Sequence, residues 1–246
     1  MEQVALSELA QQIDINGLIR KDAESTPIQR FNYARINRVD YRALLHEALA
    51  VGRHRVPGFV IDGNNRFAYI NIAKWIVGDD TVQALDPRTR NIVKGDLRKG
   101  IYLAGGTGTG KTIAMEILSF LANEHNLMFK ARNATRFLCW ANQRADMLVQ
   151  RFAQEGGIWP YDTETSCLCV QDFGTEPPSA TYMGTKCDVI RQLVEMRYDN
   201  RAMITHFTSN IPLWQKDILV SRYGDRAFDR IQGGCNYFEM GGASRR

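Results

Sequence analysis

The stretch that decides the fold is "GGTGTGKT", residues 105–112, which follows the apolar run "IYLAG" and precedes a segment of helical period. Glycines between a strand and a helix let the backbone turn tightly and point its N–H groups at phosphate oxygens, where the helix N-terminus adds positive potential. The spacing G-x-x-x-x-G-K-T therefore predicts a P-loop. The predicted phosphate-binding residues are Gly105, Gly106, Thr107, Gly108, Thr109, Gly110, Lys111 and Thr112, with Lys111 at the β- and γ-phosphates and the Thr112 hydroxyl toward Mg²⁺.

The chain from residue 99 onward alternates strand-like apolar runs with amphipathic segments of helical period. Such alternation predicts an α/β fold, in which right-handed crossovers build a mainly parallel sheet with helices on both faces. The predicted strands are "GIYLAG", "MFKARN", "SCLCVQD", "AMITHFTSN" and "NYFEM". The predicted helices cover residues 111–123, 135–152, 184–198 and 214–232, the last with a break at Gly224.

The first 95 residues follow a different pattern, in which short helical segments are joined by polar turns. Helices are predicted in "RVDYRALLHEALAVGRHR" and "RFAYINIAKWIV", a short strand and turn in "GFVIDGNN", and a loop in the polar stretch "GDDTVQALDPRTRNIVKGDLRKG". The sequence thus predicts two parts: a small, mainly helical N-terminal region over residues 1–95 and an α/β domain over residues 96–246.

Composition limits the class of protein. Of the 246 residues, 44% are hydrophobic and 24% are charged, which is typical of soluble globular proteins. No apolar run reaches the roughly 20 residues that cross a bilayer, and the start lacks the layout of a signal peptide, so we predict a cytoplasmic protein with no membrane partner. The five cysteines are scattered without a nearby histidine partner, which favours reduced core thiols over a metal site.

The positive charge is distributed unevenly along the chain. The net charge is +4, and the segment from Arg30 to Arg55 contains six arginines against two acidic residues. A basic segment of this kind is compatible with nucleic acid or with an acidic partner, and equally with a solvated helix face.

A P-loop needs an acid at the end of a neighbouring strand, which holds the metal ion and orients the attacking water. The run "SCLCV" ends at Gln171 and Asp172, where the usual pair is an aspartate followed by a second acid. A neutral amide is a weaker partner for a hydrated cation than a carboxylate. Either Asp172 holds the metal, or it keeps the role of catalytic base while the metal depends on Thr112 and the phosphates. Slow or partner-stimulated hydrolysis is the resulting hypothesis.

The fourth predicted strand ends in "THFTSN". Asn210 is its last residue, where a polar side chain can contact the γ-phosphate or the attacking water, and Thr208 and Ser209 are weaker candidates. The structural alternative is an asparagine that completes a turn before Pro212.

The segment "SRYGDRAFDRIQGG" predicts a helix with Asp225 as its N-cap and Gly233 just beyond its end, with Arg226 and Arg230 on one face. These arginines are either surface residues paired with Asp225 and Asp229, or candidates for the residue that reaches the γ-phosphate of a neighbouring subunit in an oligomeric P-loop ATPase.

The order of these motifs resembles that of the DnaC-type helicase loaders and the IstB-type transposition ATPases of the AAA+ superfamily. The resemblance covers residues 99–246 and rests on "GGTGTGKT", "LCVQDFGTEP", "THFTSN", "RYGDRAFDRI" and "GGASRR". It implies an AAA+ P-loop NTPase core with a five-stranded parallel sheet, no separate lid domain, and sites for ATP and Mg²⁺ between subunits. It also implies Asp172 as the catalytic acid, Asn210 as the first sensor, and Arg230 as the arginine finger with Arg226 as the second choice.

The resemblance further implies an ATPase of DNA replication that loads a hexameric replicative helicase onto DNA. In that family the N-terminal segment binds the helicase, while the ATPase part assembles into a ring or spiral that grips single-stranded DNA. The alternative is an IstB-like ATPase that wraps DNA and recruits a transposase. A third hypothesis, suggested by Gln171, is a nucleotide-binding module without turnover. The ending at residues 244–246 matches the family, and its role stays open.

Overall fold

The computed structural model describes residues 34–35, 39–131, 134–200 and 202–245. These residues belong to one compact unit, Tyr33–Arg246. Most of the first 38 residues, including Arg30 and Arg38 of the basic segment, lie outside the described residues, as does Arg246. Within the described ranges, no helix combines the length and the apolar character that crossing a membrane requires. The cytoplasmic location stays a prediction.

Twelve strands and six helices are present in the described part of the chain. The strands are β1 (Ala34–Arg35), β2 (Gln83–Leu85), β3 (Ile92–Lys94), β4 (Gly100–Gly105), β5 (Met128–Ala131), β6 (Ala134–Phe137), β7 (Ala141–Arg144), β8 (Cys167–Phe173), β9 (Ala180–Tyr182), β10 (Thr185–Cys187), β11 (Ile204–Ser209) and β12 (Cys235–Met240). The helices are α1 (Tyr41–Arg55), α2 (Arg66–Val77), α3 (Lys111–Glu124), α4 (Ala145–Glu155), α5 (Val189–Asp199) and α6 (Lys216–Gly234).

The central sheet has seven strands in the order β3-β2-β12-β4-β11-β8-β7. Five adjacent strands, β12, β4, β11, β8 and β7, run parallel to one another. This confirms the predicted α/β architecture with a five-stranded parallel core. The strand β11 lies between β4 and β8, so the strands that carry Asn210 and Asp172 are the first and second neighbours of the P-loop strand. The expected lack of a separate lid domain stays a prediction.

One of the five predicted strands belongs to a different sheet. "MFKARN" contains β5, but β5 pairs antiparallel with β1 and with β6. The fifth parallel strand is β7, which lies inside the segment predicted as a helix over residues 135–152. The residues of β7, "ANQR", are half-buried or exposed at the edge of the sheet. They therefore lack the continuous apolar pattern that marks a strand buried on both faces.

Two other predictions in the N-terminal half were wrong. The polar stretch predicted as a loop contains the antiparallel hairpin β2–β3, which adds to the sheet beside β12. The segment "GFVIDGNN" forms no strand but a turn, in which Asn65 accepts from the Asp62 N–H at 2.8 Å and donates to the Val60 carbonyl at 3.1 Å. Side-chain hydrogen bonds of this kind favour turns and leave no periodic apolar signal.

The predicted helices α1, α2 and α3 are confirmed, and their ends follow from their sequences. Asp40 begins α1, because its side chain accepts from the Arg42 N–H at 3.0 Å. Gly78 ends α2 with a φ of 79°, a left-handed conformation that favours glycine. The predicted break in α6 is a kink at Gly224, where φ is 81°.

Side chains of β4 alternate between two hydrophobic cores. Ile101 and Leu103 pack with α1, α2 and α3, whereas Tyr102 and Ala104 pack with α4, α5 and α6. Helices therefore cover both faces of the sheet, as predicted. The helices α1 and α2 share a hydrophobic core with the P-loop helix α3. The division of functions between residues 1–95 and residues 96–246 stays a prediction. All five cysteines are free thiols, and four of them are buried.

Candidate functional site

A cavity of about 290 Å³ lies at the carboxyl ends of β4, β8 and β11, beside the start of α3. Ligands of open α/β sheets bind at this edge, outside the carboxyl ends of the strands. The predicted residues that line the cavity are Thr107, Gly108, Thr109, Gly110, Lys111, Thr112, Asp172 and Asn210. Three strands that are separate in sequence thus bring their predicted site residues to one place.

The loop between β4 and α3 has the backbone that its glycines predict. Gly108 and Gly110 have φ angles of 80° and 95°, which side chains disfavour. A Cβ atom at Gly108 would also collide with Ser244. Gly105 and Gly106 contribute through their carbonyl oxygens, which each accept from the Lys111 ammonium at 2.8 Å. The loop therefore curves around the ammonium group that is expected to bind phosphate.

Lys111 and Asn210 meet in the cavity. The Lys111 side chain is nearly buried, and its Nζ donates to Asn210 Oδ1 at 2.8 Å. Asn210 Nδ2 donates in turn to Thr107 Oγ1 at 3.4 Å. Asn210 is thus in direct contact with the P-loop. An asparagine that only completed a turn would not need this contact.

Asp172 is held by the backbone at the end of β8. Its φ is 54°, which is uncommon for a residue with a side chain. Its N–H donates to Thr208 Oγ1 at 3.1 Å, and Ser209 Oγ donates to the Phe173 carbonyl at 2.6 Å. The two weaker sensor candidates therefore support the acidic strand, while Asn210 faces the P-loop.

Gln171 is buried and does not line the cavity. Its Nε2 donates to Oδ1 of Asn142 on the neighbouring strand β7, at 3.0 Å. The position that normally holds the metal-binding carboxylate is here an amide whose hydrogen bond lies within the sheet.

Two solved structures share this arrangement of strands and helices. A protein from Streptococcus pyogenes serotype M3, described as a candidate primosome component, superposes with a TM-score of 0.52 over 84% of this chain and 100% of its own, at 16% identity. The DnaC helicase loader superposes with a TM-score of 0.50 over 74% of this chain and 93% of its own, at 15% identity. The chain has the fold of these two proteins. No family model and no curated protein sequence matches it.

Both candidate arginines lie on α6, and neither lines the cavity. Arg230 donates to both carboxylate oxygens of Asp199 at 2.8 and 3.0 Å, and its side chain is 11% exposed. The side chain of Arg226 is 68% exposed, and its ion pair with Glu195 is long, at 3.9 Å. Arg226 is therefore the more accessible of the two guanidinium groups.

One wall of the cavity is formed by residues that belong to none of the sequence motifs. It is formed by residues 56–60, which follow α1, and by Tyr69 of α2. The side chains of Val56, Pro57 and Phe59 make this wall mainly apolar, opposite the polar P-loop. The N-terminal helices thus complete the site, a contribution that becomes visible only when the chain is folded.

The C-terminal segment closes another side of the cavity. The Arg245 N–H donates to the Gly108 carbonyl at 2.9 Å, and its guanidinium donates to both carboxylate oxygens of Asp62 at 2.8 and 2.9 Å. This contact holds the pKa of Asp62 below its usual range. The sequence ending "GGASRR" suggested no role, and the structure places its Ser244 and Arg245 against the P-loop.

Proposed function

We propose that this chain is an ATPase of DNA replication that loads a hexameric replicative helicase onto DNA. The observation that carries the proposal is the convergence of Lys111, Thr112, Asp172 and Asn210 on one cavity. Hydrolysis of a nucleoside triphosphate requires a phosphate-binding cation, a metal ligand, an acid and a polar group of this kind. The fold shared with the DnaC helicase loader supports replication among the many uses of this chemistry.

ATP is proposed to bind with its phosphates at the start of α3, because the free N–H groups and the dipole of a helix N-terminus favour anions. Lys111 would then exchange the carbonyl oxygens of Gly105 and Gly106 for oxygens of the β- and γ-phosphates. Asn210, which already contacts Lys111, would detect whether the γ-phosphate is present. The apolar wall at residues 56–60 suits the adenine base.

The lining residues fit Mg²⁺ bound together with the nucleotide. Mg²⁺ keeps several water ligands and usually binds one or two protein oxygens together with substrate phosphates. Thr112 and Asp172 supply such oxygens, and the described residues contain no group of three metal-binding side chains that would form an all-protein site. When bound there, the ion would neutralise charge on the β- and γ-phosphates. Asp172 orients the attacking water, and Gln171 makes slow or partner-stimulated turnover the expected behaviour.

The complete site is proposed to form between subunits of a ring or spiral. An arginine supplied by a neighbouring subunit accelerates hydrolysis by about 10³- to 10⁵-fold. Arg226 and Arg230 are the candidates, because both lie away from the cavity of their own chain. Arg226 is accessible as it stands, whereas Arg230 has to leave Asp199 before it can reach a neighbour.

The contacts with DNA and with the helicase are proposed from the family resemblance. Residues 1–95 would bind the helicase, and the assembled ATPase domains would bind DNA mainly through its phosphates. Arg42, Arg53 and Arg55 of the basic segment are exposed, so residues 1–95 can add phosphate contacts to those of the ATPase domains. Binding is then expected to weaken steeply as salt increases and to show little sequence preference.

Co-elution with the replicative helicase of the same host tests this function. With ATP and Mg²⁺ present, the full chain is expected to elute with the helicase in a stoichiometric complex. A preparation that binds ATP and DNA but forms no such complex would contradict helicase loading. It would favour the IstB-like alternative, in which the partner is a transposase.

A further inference from the structure

The strand that normally supplies the carboxylate for Mg²⁺ does not supply it in this chain. In P-loop NTPases the ion is held by the P-loop hydroxyl and by an aspartate at the end of the acidic strand. Here that strand position is Gln171, whose amide donates to Asn142 within the sheet. The cavity is nevertheless lined by a second acid besides Asp172, namely Glu116.

Glu116 lies four residues after Thr112 on α3, so both side chains lie on one face of the helix. The Cα–Cβ bonds of a helix tilt toward its N-terminus, which directs the Glu116 side chain toward the turn that carries Thr112. The residue is partly exposed, and it lines the same cavity as Thr112 and Asp172. A carboxylate therefore lies beside the predicted metal-binding hydroxyl, contributed by the helix in place of the strand.

The position of Glu116 relative to β8 is consistent with a carboxylate on α3 in place of one on the strand. Burial raises the pKa of the Cys169 thiol on β8, and the negative charge of Glu116 raises it further. Cys169 is two residues before Gln171 and lies on the same face of the strand. Cys169 also belongs to the same hydrophobic core as Ile117 and Leu118 of α3, so the helix that carries Glu116 packs on the face of β8 from which a metal-binding aspartate would project.

Glu116 also differs from an ordinary charged residue of a helix surface. The described residues give its side chain no hydrogen bond and no ion pair, although it is partly enclosed by the cavity. Its negative charge therefore remains available to a cation bound in the cavity. Glu124 near the end of the same helix is exposed and lies outside the cavity, so water alone can solvate it.

We propose that Glu116 supplies the carboxylate that orders the water ligands of the nucleotide-bound Mg²⁺, in place of the aspartate that Gln171 replaces. This inference rests on the proposed function, since it concerns the metal that accompanies ATP. In this arrangement the metal-binding carboxylate lies on the helix α3, and the corresponding position on the strand β8 is occupied by Gln171. Asp172 keeps its role as the catalytic acid.

The test is a Mg²⁺ titration of the binding of a fluorescent ATP analogue to the full chain. Loss of a carboxylate that orients metal ligands typically weakens metal affinity about 10- to 100-fold. Glu116→Gln is therefore expected to raise the half-saturating Mg²⁺ concentration by at least about tenfold, while binding of the analogue in EDTA stays unchanged. Glu124→Gln, on the same helix, is expected to match the wild-type titration.

A double variant tests whether the two positions are equivalent. Adding Gln171→Asp to Glu116→Gln is expected to restore most of the lost Mg²⁺ affinity, because a carboxylate then projects from the strand again. An unchanged Mg²⁺ dependence in Glu116→Gln would overturn the inference. So would a loss of binding in EDTA, because that result indicates a structural role. If the wild-type chain binds no analogue under either condition, the ATPase proposal itself fails, and the two failures are thereby distinguished.

Discussion

Asp172→Asn is expected to lower the single-turnover rate of ATP hydrolysis by about 10³-fold, within the range that a positioned acid or base contributes. Asparagine tolerates the left-handed φ of 54° at least as well as aspartate, so the backbone at the end of β8 should stay in place. The neutral amide, however, cannot polarise the attacking water. The rate is measured with the protein in excess over labelled ATP, so that slow turnover does not hide the effect.

The matched control is Asp80→Asn, because Asp80 is exposed and lies outside the cavity. Its hydrolysis rate should equal that of the wild type. ATP affinity should change little in Asp172→Asn, since Lys111 and the P-loop remain intact. Equal hydrolysis rates in the wild type and Asp172→Asn would remove Asp172 from the mechanism.

Arg197→Met is expected to lower the free energy of unfolding by about 3 kcal/mol. Arg197 is 1% exposed, and burial lowers its pKa to about 10, so it stays charged at neutral pH. Its guanidinium donates to Thr205 Oγ1 at 2.7 Å and to the carbonyl oxygens of Tyr161, Thr165 and Ile204 at 2.6, 2.8 and 2.9 Å. Methionine fills similar space but leaves these buried acceptors without their donor.

Urea unfolding measures the difference, with Arg191→Met as the control on the same helix. The Arg191 side chain is 53% exposed and its pair with Glu195 is loose, at 3.5 Å, so its loss should change stability by no more than about 0.5 kcal/mol. Equal midpoints for the two variants would show that the Arg197 hydrogen bonds contribute little net stability.

The sequence predicts those parts of the fold in which burial imposes a pattern. β4, β8 and β12 are buried almost throughout, so they appear as apolar runs. The edge strand β7 and the hairpin β2–β3 bury little, so their residues resemble a polar helix face and a loop. β5 was predicted as a strand but placed in the wrong sheet, because local sequence does not determine the partner of a strand.

The same distinction applies to the candidate site. The positions of Lys111, Asp172 and Asn210 at the cavity could be predicted, because each lies near the carboxyl end of a strand that burial makes visible. Glu116 could not, because a single acid in an amphipathic helix looks like any solvated residue until the cavity beside it is known. Arg245 reaches the cavity because of the path that the chain takes after β12, and no local sequence pattern specifies that path.

The measurement that tests the account most directly is the affinity of the wild-type chain and of Lys111→Ala for ATP with Mg²⁺, determined by calorimetry. Lys111 supplies the side-chain cation of the P-loop, so its removal should weaken binding by about 100-fold or more. Lys94→Ala, at an exposed position of β3, serves as the control. Saturable binding by the wild type and the Lys94 variant, lost in Lys111→Ala, is the predicted result. Absence of ATP binding by the wild type, or equal affinity in Lys111→Ala, would contradict the assignment of this cavity as an ATP site.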